Sequence, residues 1–193
     1  MSLKIAMTGH TKGIGKAIHD LLSQDNDVYG FSRTNGYNIM KPSTCKRIVS
    51  EIDDCDVFIN NAYVPESQNR LLYELYEKWE NQPKHIINIS ATSPDYPHFF
   101  GRDGYDEWVP YVSDKARLDF ASAQLSRRYK KGSCKVTNLR PHFVDTTAVD
   151  VHRSCRDAFG NVITPGEVAE MVQWIVNQPK RIQIRRLDFC VGA

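Results

Sequence analysis

The first twenty-odd residues constrain the fold of this chain more than any other stretch. Leu3 to Met7 is an apolar run, Gly9, Gly13 and Gly15 punctuate the turn after it, and Ile14, Ala17, Ile18, Leu21 and Leu22 then recur at helical spacing. Strand, tight loop and helix make one half of a nucleotide-binding unit. The glycines let the turn tighten, let backbone approach a pyrophosphate and let the helix lie on the strand, while the helix N-terminus offers N–H groups to the anion. The spacing is GxxxGxG, not GxGxxG. A glycine-rich turn is weak evidence by itself, because strand-to-helix turns favour glycine whether or not anything binds there. Here it follows a strand, opens a helix and is joined by three motifs downstream.

The rest of the chain alternates in the same way. Val28 to Phe31 reads as a second strand and Gly36 to Ile39 as a short third, with almost no helix between them; Cys45, Ile48, Val49 and Ile52 mark a helix with Pro42 near its start. Asp56 to Ala62 is a strand running into a polar turn, Leu71, Leu72, Leu75, Tyr76 and Trp79 share a helical face, and His85 to Ser90 is a strand ending on serine. Residues 91 to 110 form a connection of a length that is usually functional or disordered, and its Tyr96, Phe99, Phe100, Tyr105 and Trp108 favour a functional, substrate-side loop. A helix from about Tyr111 to Tyr129, a strand from Lys135 to Leu139, a second long connection over 144 to 163 and a capping box at Thr164-Pro165-Gly166-Glu167 follow. Ile182 to Phe189 is the last strand. Strands alternating with helices predict an α/β fold, a doubly wound parallel sheet with helices on both faces, over 1 to 193 as a single domain. Ligands of such sheets sit beyond the carboxyl ends of the strands, where the glycine loop, Ser32-Arg33, Asn60-Asn61-Ala62, Ser90 and Pro141 all fall.

Bulk properties narrow the classes. The 193 residues, 41% of them hydrophobic, suffice for one sizeable core, and a net charge of +2 calls for neither nucleic acid nor an anionic membrane. The chain enters a strand directly with no charged-then-apolar leader and has no bilayer-length apolar run, so a cytoplasmic protein is expected. Cys45, Cys55, Cys134, Cys155 and Cys190 are scattered without a CxxC pair, suggesting reduced, mostly buried thiols and no metal site.

Tyr111-Val112-Ser113-Asp114-Lys115 suggests the chemistry. Residues four apart share a helix face, so the Lys115 ammonium would stand near the Tyr111 phenol and lower its pKa from about 10. That would make Tyr111 a proton donor and acceptor near neutral pH, with Ser90 hydrogen-bonding the same substrate oxygen. YxxxK alone is ordinary helix spacing. Together with TGHTKGIG, Asn60-Asn61-Ala62 and Ser90, over nearly the whole chain, it makes the sequence resemble the short-chain dehydrogenase/reductase family.

The resemblance implies an oxidoreductase that interconverts a carbonyl and an alcohol on a small substrate by hydride transfer, with Ser90, Tyr111, Lys115 and an asparagine in the active site. It implies that Gly9, Thr11, Lys12, Gly13, Ile14 and Gly15 line the cofactor, that Asn60, Asn61 and Ala62 support the sheet and border the adenosine, and that Asn38 lies near the adenine. Arg140 to Thr146, including Pro141 and Phe143, would border the nicotinamide, with Thr146 near its amide and Tyr111 and Lys115 also meeting the cofactor. The second strand ends Phe31-Ser32-Arg33 with no acid to meet a free ribose hydroxyl, and Arg33 and Lys12 resemble the cations of NADP-dependent members. NADP(H) is therefore expected over NAD(H), the ordinary alternative being two solvated cations.

Several positions depart from the family. Tyr63 stands where NNAG has glycine, His142 follows Pro141 in place of glycine, the helix after the second strand is nearly absent, and the helix before Ser90 is short. The active-site asparagine is thus hard to place; Asn69 is the candidate, a helix-capping residue the alternative. His152, Arg153 and Arg156 could meet an anionic substrate or form a solvated loop, and Lys180, Arg181, Arg185 and Arg186 read as a basic edge rather than a nucleic-acid site. Two other functions stay open: a non-catalytic dinucleotide sensor, which would not need the Tyr–Lys pair, and a sugar-nucleotide epimerase or dehydratase, which usually carries a larger C-terminal region. Substrate and homo-oligomeric state are not legible in the residues.

Overall fold

A computed structural model describes residues 2–95, 105–146 and 162–191. In chain order it runs β1 (Lys4–Thr8), α1 (Gly13–Leu22), β2 (Asp27–Phe31), α2 (Pro42–Glu51), β3 (Val57–Asn60), α3 (Ser67–Trp79), β4 (His85–Ile89), α4 (Tyr105–Ser126), β5 (Lys135–Pro141), α5 (Pro165–Val176) and β6 (Arg186–Phe189). The six strands form one sheet in the order β2-β1-β3-β4-β5-β6, and each pairing is parallel. This is the doubly wound α/β architecture expected, with its switch point between β1 and β3.

Alternation along the strands divides the core into two layers. Ala6, Phe58, Ile86 and Val136 lie in one register row and pack with Ile48, Leu71, Leu75, Trp79 and Leu118 of α2, α3 and α4. Ile5, Met7, Ile59, Ile87 and Leu139 face the other way, onto Ile18 and Leu22 of α1 and Val168, Val172 and Ile175 of α5. Both strand faces are apolar because both are covered, which is why these strands read as unbroken hydrophobic runs.

Gly36 to Ile39 is not a strand. Ser32 caps a single 3-10 turn, Arg33–Asn35, Gly36 adopts the left-handed conformation at φ +90°, and Tyr37 N–H returns to the Ser32 carbonyl at 2.8 Å. The helix that follows β2 is therefore α2, not a near-absent one, and among the described residues the sheet has six strands rather than seven. The helix expected from Tyr111 starts at Tyr105 and carries Pro110 within it, so 105 to 110 belong to α4 and not to the connection; it ends at Ser126 rather than Tyr129. β5 extends to Pro141, while β6 is four residues, beginning at Arg186 rather than Ile182. The capping box forms as expected: Glu167 N–H donates to Thr164 Oγ1 at 3.2 Å, and Thr164 N–H to Glu167 Oε2 at 2.7 Å. Cys45, Cys55 and Cys134 are buried free thiols, and Cys190 is free and exposed. Tyr96, Phe99, Phe100, Cys155, His152, Arg153 and Arg156 lie outside the described residues, as do the Tyr105 and Trp108 side chains. No helix among the described residues is long and apolar enough to cross a membrane.

Candidate active site

The glycine loop leaves β1 at its carboxyl end. Gly9 and Gly13 hold φ of +74° and +54°, a region that disfavours other residues. Gly15 has negative φ but no room: a Cβ there would stand 2.0 Å from the Gly9 carbonyl oxygen. The loop is braced from β3. Thr8 Oγ1 accepts the Asn61 and Ala62 N–H groups at 3.1 and 3.0 Å, and Asn61 Nδ2 donates to the Thr8 and Gly9 carbonyls at 3.0 and 3.4 Å. Asn60 is fully buried, its amide donating to the Gln68 carbonyl and Asn88 Oδ1, both at 2.8 Å. The expected sheet-supporting role of Asn60, Asn61 and Ala62 has its atoms in these bonds.

This loop fits a dinucleotide. Among the described residues, Lys12, the N-cap of α1, makes no side-chain cap and the first turn of α1 has no acid, a helix start suited to an anion. Thr146 lies beside the loop, its Cγ2 3.5 Å from where a Gly13 Cβ would be. It is carried there by the segment after β5, pinned where Val144 bridges Ile163 and where Asp145 N–H meets the Ile163 carbonyl at 2.7 Å. Phe143 stacks edge-on against His142, and His142 Nδ1 lies 2.8 Å from Thr92 Oγ1. Arg33 and Lys12 are exposed; Ser32 is spent on capping its turn, and Asn38 Oδ1 accepts the Met40 N–H.

α4 brings Lys115 and Tyr111 under the ends of β3 and β4. Lys115 is 3% exposed, and its Nζ donates to Gln68 Oε1 at 2.7 Å and the Ile89 carbonyl at 2.9 Å. It stands 5.4 Å from the Tyr111 ring centroid and 5.5 Å from that of Tyr63, the two rings meeting edge-on at 4.9 Å. Burial pulls the Lys115 ammonium down to about 7, against Asp119 and Asp114, which raise it. Tyr111 departs from expectation: burial first, then Tyr63 and Asp119, push its phenol above the usual tyrosine range. The cost of desolvating a phenolate wins because the Lys115 ammonium is itself desolvated and directs two of its protons to Gln68 and Ile89. Tyr111 is thus a protonated donor at neutral pH.

Gln68, rather than Asn69, meets Lys115. Gln68 Nε2 also donates to the Asn60 and Ile89 carbonyls at 2.7 and 2.9 Å. Asn69 points elsewhere, its Nδ2 donating to the Asp114 carbonyl at 3.1 Å, and it is not the helix cap, which is Glu66. Gln68 was legible in principle: with Leu71, Leu72 and Leu75 it completes the i, i+3, i+4, i+7 buried face of α3.

Ser90 follows β4 directly, and its hydroxyl donates to Asp119 Oδ1 at 2.6 Å. Asp119, one turn beyond Lys115, also accepts from Asn138 Nδ2 at 2.7 Å and pairs with Arg140 Nε at 2.9 Å. Burial pushes its carboxyl up, while the Ser90 and Asn138 bonds pull it down. Arg140, fully buried, further pairs with Asp95 and Asp188 at 2.8 and 2.9 Å. Asp119 too had a signal, since 111, 115 and 119 lie on one helix face.

The same fold recurs among solved structures. The chain superposes on a 3-ketoacyl-(acyl-carrier-protein) reductase of Brucella melitensis complexed with NADH at a TM-score of 0.79, with 16% identity and 96% of each chain covered. The chain has the short-chain dehydrogenase/reductase fold. A short chain dehydrogenase of Burkholderia cenocepacia in complex with NADP gives 0.76 at 15% identity, covering 97% of this chain and 95% of that one. A 3-alpha-hydroxysteroid dehydrogenase of a Pseudomonas species complexed with NADH gives 0.75 at 17% identity, covering 96% and 95%. No family model and no curated protein matches the sequence.

Proposed function

We propose that this protein is an NADP(H)-dependent oxidoreductase that interconverts a carbonyl and an alcohol on a small organic substrate, with Tyr111 as the acid and base. The observation that carries this reading is the half-buried Tyr111 ring 5.4 Å from the buried Lys115 ammonium, which donates to the carbonyl of Ile89, the residue before Ser90, at the same sheet edge as the glycine loop. Similarity to dehydrogenases and reductases complexed with NADH or NADP supports the reaction class. When bound, the nicotinamide supplies or receives the hydride. Gly9, Thr11, Lys12, Gly13, Ile14 and Gly15 would hold its phosphates, Ser32, Arg33 and Asn38 the adenosine end with Asn61 and Ala62, and Pro141, Phe143 and Thr146 the nicotinamide end. Tyr111 gives its hydroxyl proton to the substrate oxygen on reduction and takes it back on oxidation. Lys115, with Gln68 fixing its ammonium, lowers the cost of the transient phenolate.

Arg33 and Lys12, exposed at the two loops that flank the adenosine end, and the absence of an acid after β2 support NADP(H) over NAD(H). Titrating both cofactors into wild type and Arg33→Ala, and following turnover of a panel of aldehydes, ketones, quinones and pteridines in wild type and Tyr111→Phe, tests both parts. NADPH should bind more tightly, Arg33→Ala should narrow the gap by about 1–3 kcal/mol, and Tyr111→Phe should bind cofactor normally but not turn over. Equal cofactor affinities in wild type would end the NADP(H) assignment, and undiminished turnover in Tyr111→Phe would end the assignment of Tyr111.

A further inference from the structure

We propose that Asp119 is a positioning residue that sets Ser90 as a hydrogen-bond acceptor, leaving Tyr111 as the donor to the substrate oxygen; this rests on the reading of the site given above. A hydroxyl has one proton to give. That of Ser90 goes to Asp119 Oδ1 at 2.6 Å, and an ionised carboxylate only accepts, so the direction of this bond is fixed. Asp119 cannot turn away to release it. Asn138 Nδ2 approaches the same oxygen at 2.7 Å, and Arg140 Nε holds the other at 2.9 Å. Ser90 and Asn138 both donate to Oδ1, and the Arg140 guanidinium faces Oδ2 as an ion pair while its Nε–H goes to the Ala91 carbonyl, so a proton on Asp119 would be aimed at a donor or at a cation.

The anchor behind Asp119 is rigid in turn. Arg140 is fully buried, with Nη1 2.9 Å from Asp188 Oδ2, Nη2 2.8 Å from Asp95 Oδ2 and Nε also 3.1 Å from the Ala91 carbonyl. A buried ion cluster is a poor device for stability alone, since apolar side chains of similar volume often do as well. Its effect here is directional: it runs from β6 and β5 through Asp119 to the first residue after β4. With its proton committed, Ser90 has only lone pairs left to offer a substrate oxygen. On reduction the Tyr111 O–H proton passes to the substrate oxygen, and the new hydroxyl can then turn that proton to a Ser90 lone pair; on oxidation the hydroxyl turns it back to the Tyr111 phenolate, which takes it, and Ser90 is left without a donor.

Two measurements decide the matter. Neutron diffraction from a deuterium-exchanged crystal of the cofactor-free protein should find the Ser90 deuteron on the line to Asp119 Oδ1; a deuteron aimed into the cleft overturns the proposal, whatever the substrate. Steady-state kinetics should use NADPH and the fastest-reduced carbonyl of the panel, on wild type, Asp119→Asn, Ser90→Ala and the double variant. Asp119→Asn should lower kcat about 10- to 100-fold with NADPH affinity unchanged, and should cost nothing further once Ser90 is alanine, because the effect travels through Ser90. If the two losses multiply, or if Asp119→Asn keeps kcat within about twofold, Asp119 is structural only. Should Asp119→Asn fail to unfold cooperatively, Arg140→Lys, which withdraws the guanidinium paired with Asp119 Oδ2, replaces it in the same cycle with the same outcomes. Full activity in both Ser90→Ala and Tyr111→Phe would instead defeat the underlying site.

Discussion

A methyl group added at Gly15 would stand 2.0 Å from the Gly9 carbonyl oxygen and 2.5 Å from the Asn61 amide nitrogen, so Gly15→Ala forces the loop and its β3 brace apart. It should lose dinucleotide binding and about 1–3 kcal/mol of stability, read by cofactor titration and urea unfolding. Gly166, in the first turn of α5, is the opposite case: the nearest atom to its added Cβ is Thr164 Oγ1 at 3.8 Å, and Gly166→Ala should stabilise by about 0.4–1 kcal/mol. If Gly15→Ala were as benign as Gly166→Ala, the close approach in the loop would be wrong. The need for glycine at 15, and the Tyr111–Lys115 pairing, could be read from spacing. Gln68 and Asp119 sat on faces that spacing also defined, yet a helix face says which way a residue points and not which strand end it meets. Tyr63 and Arg140 were out of reach for another reason: their contacts depend on a turn after β3 and on carboxylates from three separate elements.

At the scale of elements, local signals succeeded where one interaction decided the outcome. The Thr164 to Glu167 box is complete in four residues, and it formed. Thr164→Ala removes the side-chain acceptor from the Glu167 N–H and should cost about 1 kcal/mol, visible as a lower urea midpoint at unchanged slope; no loss would mean that α5 does not depend on its cap. Gly36 to Ile39 failed because four residues carry too little periodicity to tell a strand from a return. The deciding atoms lay upstream, where Asn35 closes a capping box on Ser32 and Gly36 turns left-handed. The start of α4 failed because Pro110 reads as a breaker, whereas a helix can lose one N–H and continue when its later turns are anchored, as Lys115 and Leu118 anchor this one.

Across the whole molecule, two desolvated basic groups make stability depend on pH in a way that can be signed in advance. Burial, reinforced by Lys135, pulls His85 from 6.5 down to about 3, and its Nε2 lies 2.7 Å from Thr137 Oγ1, whose own proton goes to the Ile184 carbonyl. His85 is therefore a neutral Nε2–H donor at the start of β4. Burial likewise holds Lys115 at about 7 instead of 10.5. For each group, between its folded and its ordinary value, the unfolded chain binds a proton that the folded protein does not, so stability rises with pH, by at most about 1.4 kcal/mol per pH unit per group. The His85 window is roughly 3 to 6.5 and the Lys115 window roughly 7 to 10.5. Opposing them, burial pushes the Cys55 and Cys134 thiols from 9.0 to about 11 and 12, so the unfolded chain ionises first and stability falls once pH passes about 9. The maximum should therefore lie on the alkaline side of neutrality, no higher than about pH 9, where the two thiols begin to ionise in the unfolded chain. Urea unfolding at half-unit steps measures the curve, and Lys115→Met should flatten its rise between about pH 7 and 8.5, whatever its effect on the absolute stability. A slope there that survives in Lys115→Met would mean that Lys115 enters the folded protein charged, and that its bonds to Gln68 and Ile89 repay its burial in full.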